Sequence, residues 1–320
     1  SASWERARDE VEDLLEDIND KGRKFKFDID FIMRTCLVLL DLPILFKVRS
    51  FGPETINTII EKWNDICIAL DETIDLLVDF GFDGLTLTSR NSVIPIVYYV
   101  YKQGKTKDHE RNELKKYLQH ALLTGFFGSH GDQALANLRK YMRKENGKGI
   151  FKLEKKSFSF EDLKKSFHIT GKTLEITEED IDDFLEYRKG RKAFVILSIL
   201  YPNLQYNEIK FDQDHIHPAV MFKPRKLRKL ELDEVTIDRW MDIKDQIPNL
   251  QMMEERRNRV KNRTPFKEWL LTRNENGDVS AYLKQNYIPE NVSYDLRNFE
   301  EFFERRRIIL RNKLADILIQ

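Results

Sequence analysis

Apolar residues recur three and four positions apart through most of this chain, and that period admits helices and little else. Val11, Leu14, Leu15 and Ile18 mark one helical face within residues 4–20. Asp28-Ile29-Asp30 opens a second helix through Leu40, with acidic residues at its positive end, and Pro43 stops it. Ile56, Ile59, Ile60, Trp63, Ile66, Ile74, Leu77 and Val78 predict one long helix from Pro53 to about Phe80. Further helices are expected over Ile94–Tyr101, 108–127, Gln133–Arg143 (capped by Asp132 or Ser129), Phe160–Phe167, Glu178–Tyr201 and Tyr294–Leu318. Thr177, with Asp180 three positions on, reads as a capping pair.

The pattern changes at Pro202. Tyr206–Phe211 alternates as a short strand, Asp233–Met241 is helix-like, Pro265–Leu271 is helical, and Asn274–Asp278 is a turn. The expected organisation is a helical domain over 1–150, a linker and helical connector over 151–200, a small core over 201–273 and a C-terminal helical segment over 274–320.

Composition narrows the class. The 54 acidic and 54 basic residues balance, which excludes a uniformly basic nucleic-acid coat and leaves room for a local basic face. Cys36 and Cys67 are the only cysteines, both within apolar helical patterns, so free thiols are expected and a disulfide framework is not. No apolar run has the length of a membrane span and no signal peptide is visible, so a cytoplasmic protein without a membrane partner is expected. The glycine-rich loop Gly125–Asp132 lacks the Gly-Lys-Ser/Thr ending of a phosphate cradle and reads as a turn. His109, His120, His130 and His168 have no metal-ligand spacing.

Two stretches read as chemistry: Asp214-His215-Ile216-His217-Pro218, and Asn249-Leu250-Gln251-Met252-Met253 continued by Asn258 and Lys261. Hydrolysing a phosphodiester needs a base that takes a proton from water near neutral pH. It also needs a cation where charge builds on the phosphate and the leaving oxygen. Histidine suits the first task, with an unperturbed pKa of about 6.5. Mg²⁺ wants oxygen ligands, carboxylate and amide oxygens among them. In a strand, Asp214 and His215 point to opposite faces, so one is free to hold a metal while the other faces the attacking water.

The set Asp-His-Ile-x-Pro, then Asn-Leu-Gln-x-x, an Asn nine positions beyond the first and a Lys three further on, resembles the HNH (His-Me finger, ββα-metal) endonuclease motif. The resemblance implies that His215 is the general base, oriented by Asn249. It implies one divalent ion, Mg²⁺ or Mn²⁺, held by Asp214 and Asn258, with Lys261 near the phosphate. His217 either supports the base or lines the substrate groove, and an ordinary exposed strand position fits it equally. Arg256, Arg257, Arg259 and Arg263 share the helix of Asn258 and Lys261 and would surround a DNA backbone, which is where sequence-independent affinity arises. The basic run Lys223–Lys229 would cover the other side of the groove, and Arg305–Lys313 reads as a solvated helix face.

Two departures stand out. Many HNH modules carry zinc-binding cysteine pairs. None occurs around this core, so no structural zinc is expected, and the unit must be held by packing of Leu250, Met252, Met253, Phe266, Trp269 and Leu270. His215 and Asn249 are 34 positions apart, longer than a short hairpin requires, with room for an inserted helix at Asp233–Met241.

A wider resemblance rests on Asn91–Tyr99, Leu114–Leu118 and Leu122–Phe127, together with the HNH set and the Arg-rich final helix. These are similar to GmrSD-type modification-dependent restriction enzymes. The resemblance implies bacterial anti-phage restriction, double-stranded DNA, modified or not, as partner, and a place in the C-terminal part of such a protein. The ParB/Srx-like NTP-dependent N-terminal domain, with its Asp-Gly-Gln-Gln-Arg motif, is then missing. The expected fold is mainly α: a multi-helical domain, then a small ββα-metal (HNH) nuclease core embedded in helices. Two other readings stay open. One is a catalytically inactive nucleic-acid-binding or regulatory module, in which Asp214-His215 before Pro218 is a structural turn. The other is an RNA-directed HNH nuclease.

Overall fold

Helix dominates, as the apolar spacing predicts, and the chain divides between Glu175 and Ile176 into two units. The computed structural model describes residues 2–44, 47, 50–147, 149–165, 173–274 and 279–319. The division falls inside the expected 151–200 connector. Residues on its N-terminal side belong to the first unit, and the expected boundaries at 150 and 200 are not unit boundaries.

The first unit contains α1 (Ala2–Asp20), α2 (Ile29–Leu39), α3 (Pro53–Glu61), α4 (Trp63–Asp79), α5 (Ile94–Tyr101), α6 (Asp108–Leu123), α7 (Gly131–Met142), β1 (Arg143–Glu145), β2 (Phe151–Leu153) and α8 (Phe160–Lys165). Its centre is α5, where Ile94, Ile96, Val97 and Tyr98 are wholly buried. A helix apolar on every side belongs in a core, and α2, α4 and α7 pack around it. The side chain of Asp28 accepts from the Phe31 amide at 2.9 Å and starts α2 as expected. The long helix expected from Pro53 is two helices. Lys62 leaves helical dihedrals between α3 and α4, and its amide turns back to the Thr58 and Ile59 carbonyls. The residue that starts α7 is His130, in left-handed backbone, in place of Ser129 or Asp132. β1 and β2 form a hairpin, with Arg143 opposite Leu153 and Glu145 opposite Phe151, so the expected 151–200 connector begins with a strand. The expected end of the next helix, Phe167, and His168 lie outside the described residues.

The second unit contains α9 (Glu178–Leu185), α10 (Arg191–Leu200), β3 (Phe211–His215), α11 (Pro224–Leu227), α12 (Glu234–Ile243), β4 (Leu250–Glu254), α13 (Glu255–Lys261), α14 (Phe266–Asn274), α15 (Val279–Gln285) and α16 (Phe299–Leu318). Thr177 and Asp180 form the capping box read from their spacing: each side chain accepts from the other's amide, at 3.2 and 2.8 Å. The helix expected to run from Glu178 to Tyr201 is broken at Gly190, whose φ of +151° favours glycine. The strand begins at Phe211, where it was expected to end, because Glu208 and Ile209 turn back onto the Gln205 carbonyl. Between the strands, α12 is the inserted helix, capped by Asp233. Residues 275–278 of the expected Asn274–Asp278 turn lie outside the described residues.

Aromatic side chains fill this unit's core. Phe299, Phe302 and Phe303 on α16 meet Trp240, Phe266, Trp269 and Ile216. Each such ring contributes roughly 1.5–3 kcal/mol by leaving water. All six residues expected to hold the strands by packing are buried. Among the described residues no helix is long and apolar enough to cross a membrane.

Candidate active site

Strands β3 and β4 pair antiparallel, with Asp214 opposite Gln251 and His215 opposite Leu250. The Ile216 amide donates to the Asn249 carbonyl at 2.8 Å and extends the ladder by one step. Phe-Asp-Gln-Asp-His has weak strand propensity on its own, so the partner strand and the buried Ile216 hold it extended. The chain passes directly from β4 into α13. The local order is therefore strand, antiparallel strand, helix. Alternation along β3 gives its two faces different chemistry.

His215 ends β3 with its side chain 13% exposed, and its Nε2 lies 2.7 Å from Asp245 Oδ1. Lys244 pairs with the other Asp245 oxygen. Burial pushes the imidazole below its usual range, Asp245 pulls it back up, and the charge of Lys189 adds to the downward push. Burial would raise the Asp245 carboxyl, and Lys244 and His215 outweigh it, leaving Asp245 below the usual carboxylate range. The turn between α9 and α10 lies against this face. The Gln213 side chain grips Gly190, accepting from its amide at 2.9 Å and donating to its carbonyl at 3.0 Å. The Lys189 amide donates to the Asp245 carbonyl at 2.8 Å. Arg188 and Lys189 on that turn, and Arg191 and Lys192 opening α10, are all exposed. Asp245 and this basic turn are absent from the motif reading. The run Arg188-Lys189-Gly190-Arg191-Lys192 was the visible signal.

Asp214 faces the other way and is 7% exposed. Its Oδ2 accepts from Gln251 Nε2 and from Lys261 Nζ, both at 2.8 Å. Tyr282 donates to the Gln251 carbonyl oxygen at 2.5 Å, closing the network. Lys261 is wholly buried and also donates to the His215 carbonyl. It was expected beside a phosphate, and here it has no solvent-facing surface. Burial lowers its ammonium pKa while Asp214 opposes the shift. Asn258, expected to share a metal with Asp214, donates instead to Asp212 Oδ2 at 3.2 Å. Asp212 and Asp214 share a strand face, so the oxygens of Asp212, Asp214 and Asn258 lie on one side of the ladder.

These donors do not fit a resident divalent ion as they stand. The Asp214 oxygen is engaged by an amide and an ammonium, and the cation beside it is Lys261. Among the described residues, no group of three or more histidine, cysteine or acidic side chains is arranged to hold a metal.

Asn249 is wholly buried, and its side chain bonds to backbone groups in place of the His215 ring. Its Oδ1 accepts from the His217 amide at 2.9 Å, and its Nδ2 donates to the carbonyls of His217 and Lys244 at 3.1 and 2.7 Å. It therefore ties the segment after His215 to the segment before Asp245, positioning both partners through the backbone. His217 lines no groove and is not exposed. It is 2% exposed, with Phe266, Phe299 and Phe302 edge-on around it, and among the described residues its Nε2 has no partner. Burial pushes its imidazole down to about 3. Beneath this loop, wholly buried Arg306 donates to the carbonyls of Ile247, Pro248, Leu250 and Asn286 at 2.8–3.3 Å. Its place in Arg305–Lys313 made it look like part of a solvated face.

The α13 arginines are exposed: Arg256, Arg257 and Arg259 on the helix and Arg263 just beyond it. Arg257 reaches Glu254 at 3.4 Å and Arg259 reaches Glu255 at 3.1 Å. Neither a known family model nor a curated protein sequence matches this chain.

Proposed function

We propose that the second unit hydrolyses phosphodiester bonds of double-stranded DNA, as an HNH-type endonuclease with His215 as general base and Asp245 as the residue that positions it. The observation that supports this most is the His215–Asp245 pair at the end of the first strand of a strand–strand–helix unit. With Nε2–H directed at Asp245, Nδ1 is the basic nitrogen, and among the described residues it has no partner. It takes a proton from water, the resulting hydroxide oxygen attacks phosphorus, and the leaving oxygen is protonated from solvent. Asp245 stabilises the imidazolium that forms. Arg188 and Lys189 on the adjoining turn, and Arg191 and Lys192 opening α10, supply phosphate contacts, with the exposed arginines of α13 extending the basic surface.

The reading calls for Mg²⁺ or Mn²⁺, which would offset charge on the phosphate; Asp214, Asp212 and Asn258 would have to supply its oxygens, with Asp214 first released from Lys261. A role in bacterial restriction, with an NTP-dependent domain as partner, rests on the sequence resemblance alone. One observation favours a second reading: the buried Lys261–Asp214 pair fits a catalytically silent module that binds nucleic acid. Incubating supercoiled plasmid with the chain in Mg²⁺, Mn²⁺ or EDTA separates them. Nicked circle with either metal and none with EDTA is expected. A gel shift without cutting in any condition favours the silent module, and cutting of RNA alone would redirect the substrate.

A further inference from the structure

We propose that Lys261 occupies the divalent-cation position of this site, so that its ammonium and a metal ion are mutually exclusive partners of Asp214. This rests on the nuclease reading only in naming that position. The geometry is its own support. Asp214 is 7% exposed and Lys261 not at all, and their 2.8 Å contact is backed by the Lys261 bond to the His215 carbonyl. A buried carboxylate needs a positive partner, because neither charge is stable there alone. One cation satisfies it, and a second would meet the first at contact distance. Gln251, held by Tyr282, takes a further lone pair of the same oxygen. Of the neighbouring groups on this side, Asp212 already has one oxygen engaged by the Asn258 amide nitrogen, at 3.2 Å. An ion therefore enters only when Lys261 swings away from Asp214.

The ammonium also reaches from the last residue of α13 to the carbonyl of His215. Its departure would free the backbone on which the proposed base sits. The cation that fills the site thus bears on both faces of β3.

The test is Mn²⁺ binding to the full chain, followed by electron paramagnetic resonance, for the parent, K261M and D214N/K261M. The parent is expected to bind Mn²⁺ weakly, and K261M at least about tenfold more tightly. The double variant replaces the ion pair with a neutral pair of similar shape, and it should lose that gain. Equal affinity in the parent and K261M, or a gain that survives D214N, would overturn the proposal. If K261M lacks a cooperative unfolding transition, K261R decides. Arginine keeps the charge, so binding as weak as the parent's upholds the proposal, while micromolar binding by the parent that is lost in N258A overturns it. Tight parental binding would leave the nuclease reading intact, since that reading stands or falls on cutting by His215 variants.

Discussion

Among the described residues each unit has one two-stranded antiparallel ladder, and the two are built on opposite terms. The β1–β2 ladder joins strands a few residues apart, and the Asn146 amide closes its turn on the Ile150 carbonyl at 3.1 Å. Its cross-strand ion pair stays in water, with Lys144 meeting Glu154 at 3.2 Å and both side chains about half exposed, while Arg143 turns inward to Asp41. The β3–β4 ladder joins strands separated by an inserted helix, and it buries Asp214, Asn249, Gln251, Lys261 and Arg306. Local turn formation suffices for the first. The second requires charged groups to leave water, a cost that ion pairing and hydrogen bonding only offset. An apolar cluster would hold two strands at lower cost. A region that keeps buried charge instead is a candidate for function.

Substitutions should separate the two ladders, beginning with Arg306. R306M strips four carbonyl-bearing residues of their donor, and urea unfolding should show a loss of about 3 kcal/mol or more in the second unit's transition. A loss below 1 kcal/mol would mean the clamp is not structural.

His217 gives the next largest effect, through pH. Its folded value of about 3 lies below the ordinary 6.5. As pH falls through 6.5 the unfolded chain takes up a proton that the folded one refuses. Stability is therefore full above that pH and is lost on going down toward 3. The slope approaches about 1.4 kcal/mol per pH unit. H217F keeps an aromatic ring among Phe266, Phe299 and Phe302 and should remove this part of the slope. Parallel stability–pH curves for parent and variant would contradict the assignment.

N249A deletes three hydrogen bonds at a buried position and should destabilise by about 2 kcal/mol. It should also slow cutting, because the backbone segments carrying His215 and Asp245 lose their tie. K144A in the first ladder removes one half-exposed pair and should change stability by less than about 0.5 kcal/mol. An equal cost for N249A and K144A would erase the contrast between the two ladders.

Much of this was legible in the residues. Periodicity located α2, α5 and α16, and the Thr177–Asp180 spacing marked its capping box. The resemblance carried by Asp214, His215, Asn249 and Asn258 implied two strands and a helix, and these residues lie at or beside β3, β4 and α13. What stayed hidden has physical causes. Lys62 and Gly190 break helices whose apolar period runs straight through them, and the break at Gly190 is tied by Gln213, a contact that periodicity does not record. Lys261 and Arg306 look like surface cations in sequence, since a charge run shows nothing about which member turns inward. Asp245 lies 30 positions from His215, with no spacing rule to join them. His217 sits where alternation allows either face, and the aromatic residues that bury it come from α14 and α16.

The most direct test of His215 as the base is the rate of plasmid nicking by H215A relative to the parent in Mg²⁺, with the melting temperature measured alongside. A fall of roughly a hundred- to ten-thousand-fold, the range for loss of a general base, is expected at an unchanged melting temperature. Cutting by H215A at the parental rate would contradict it.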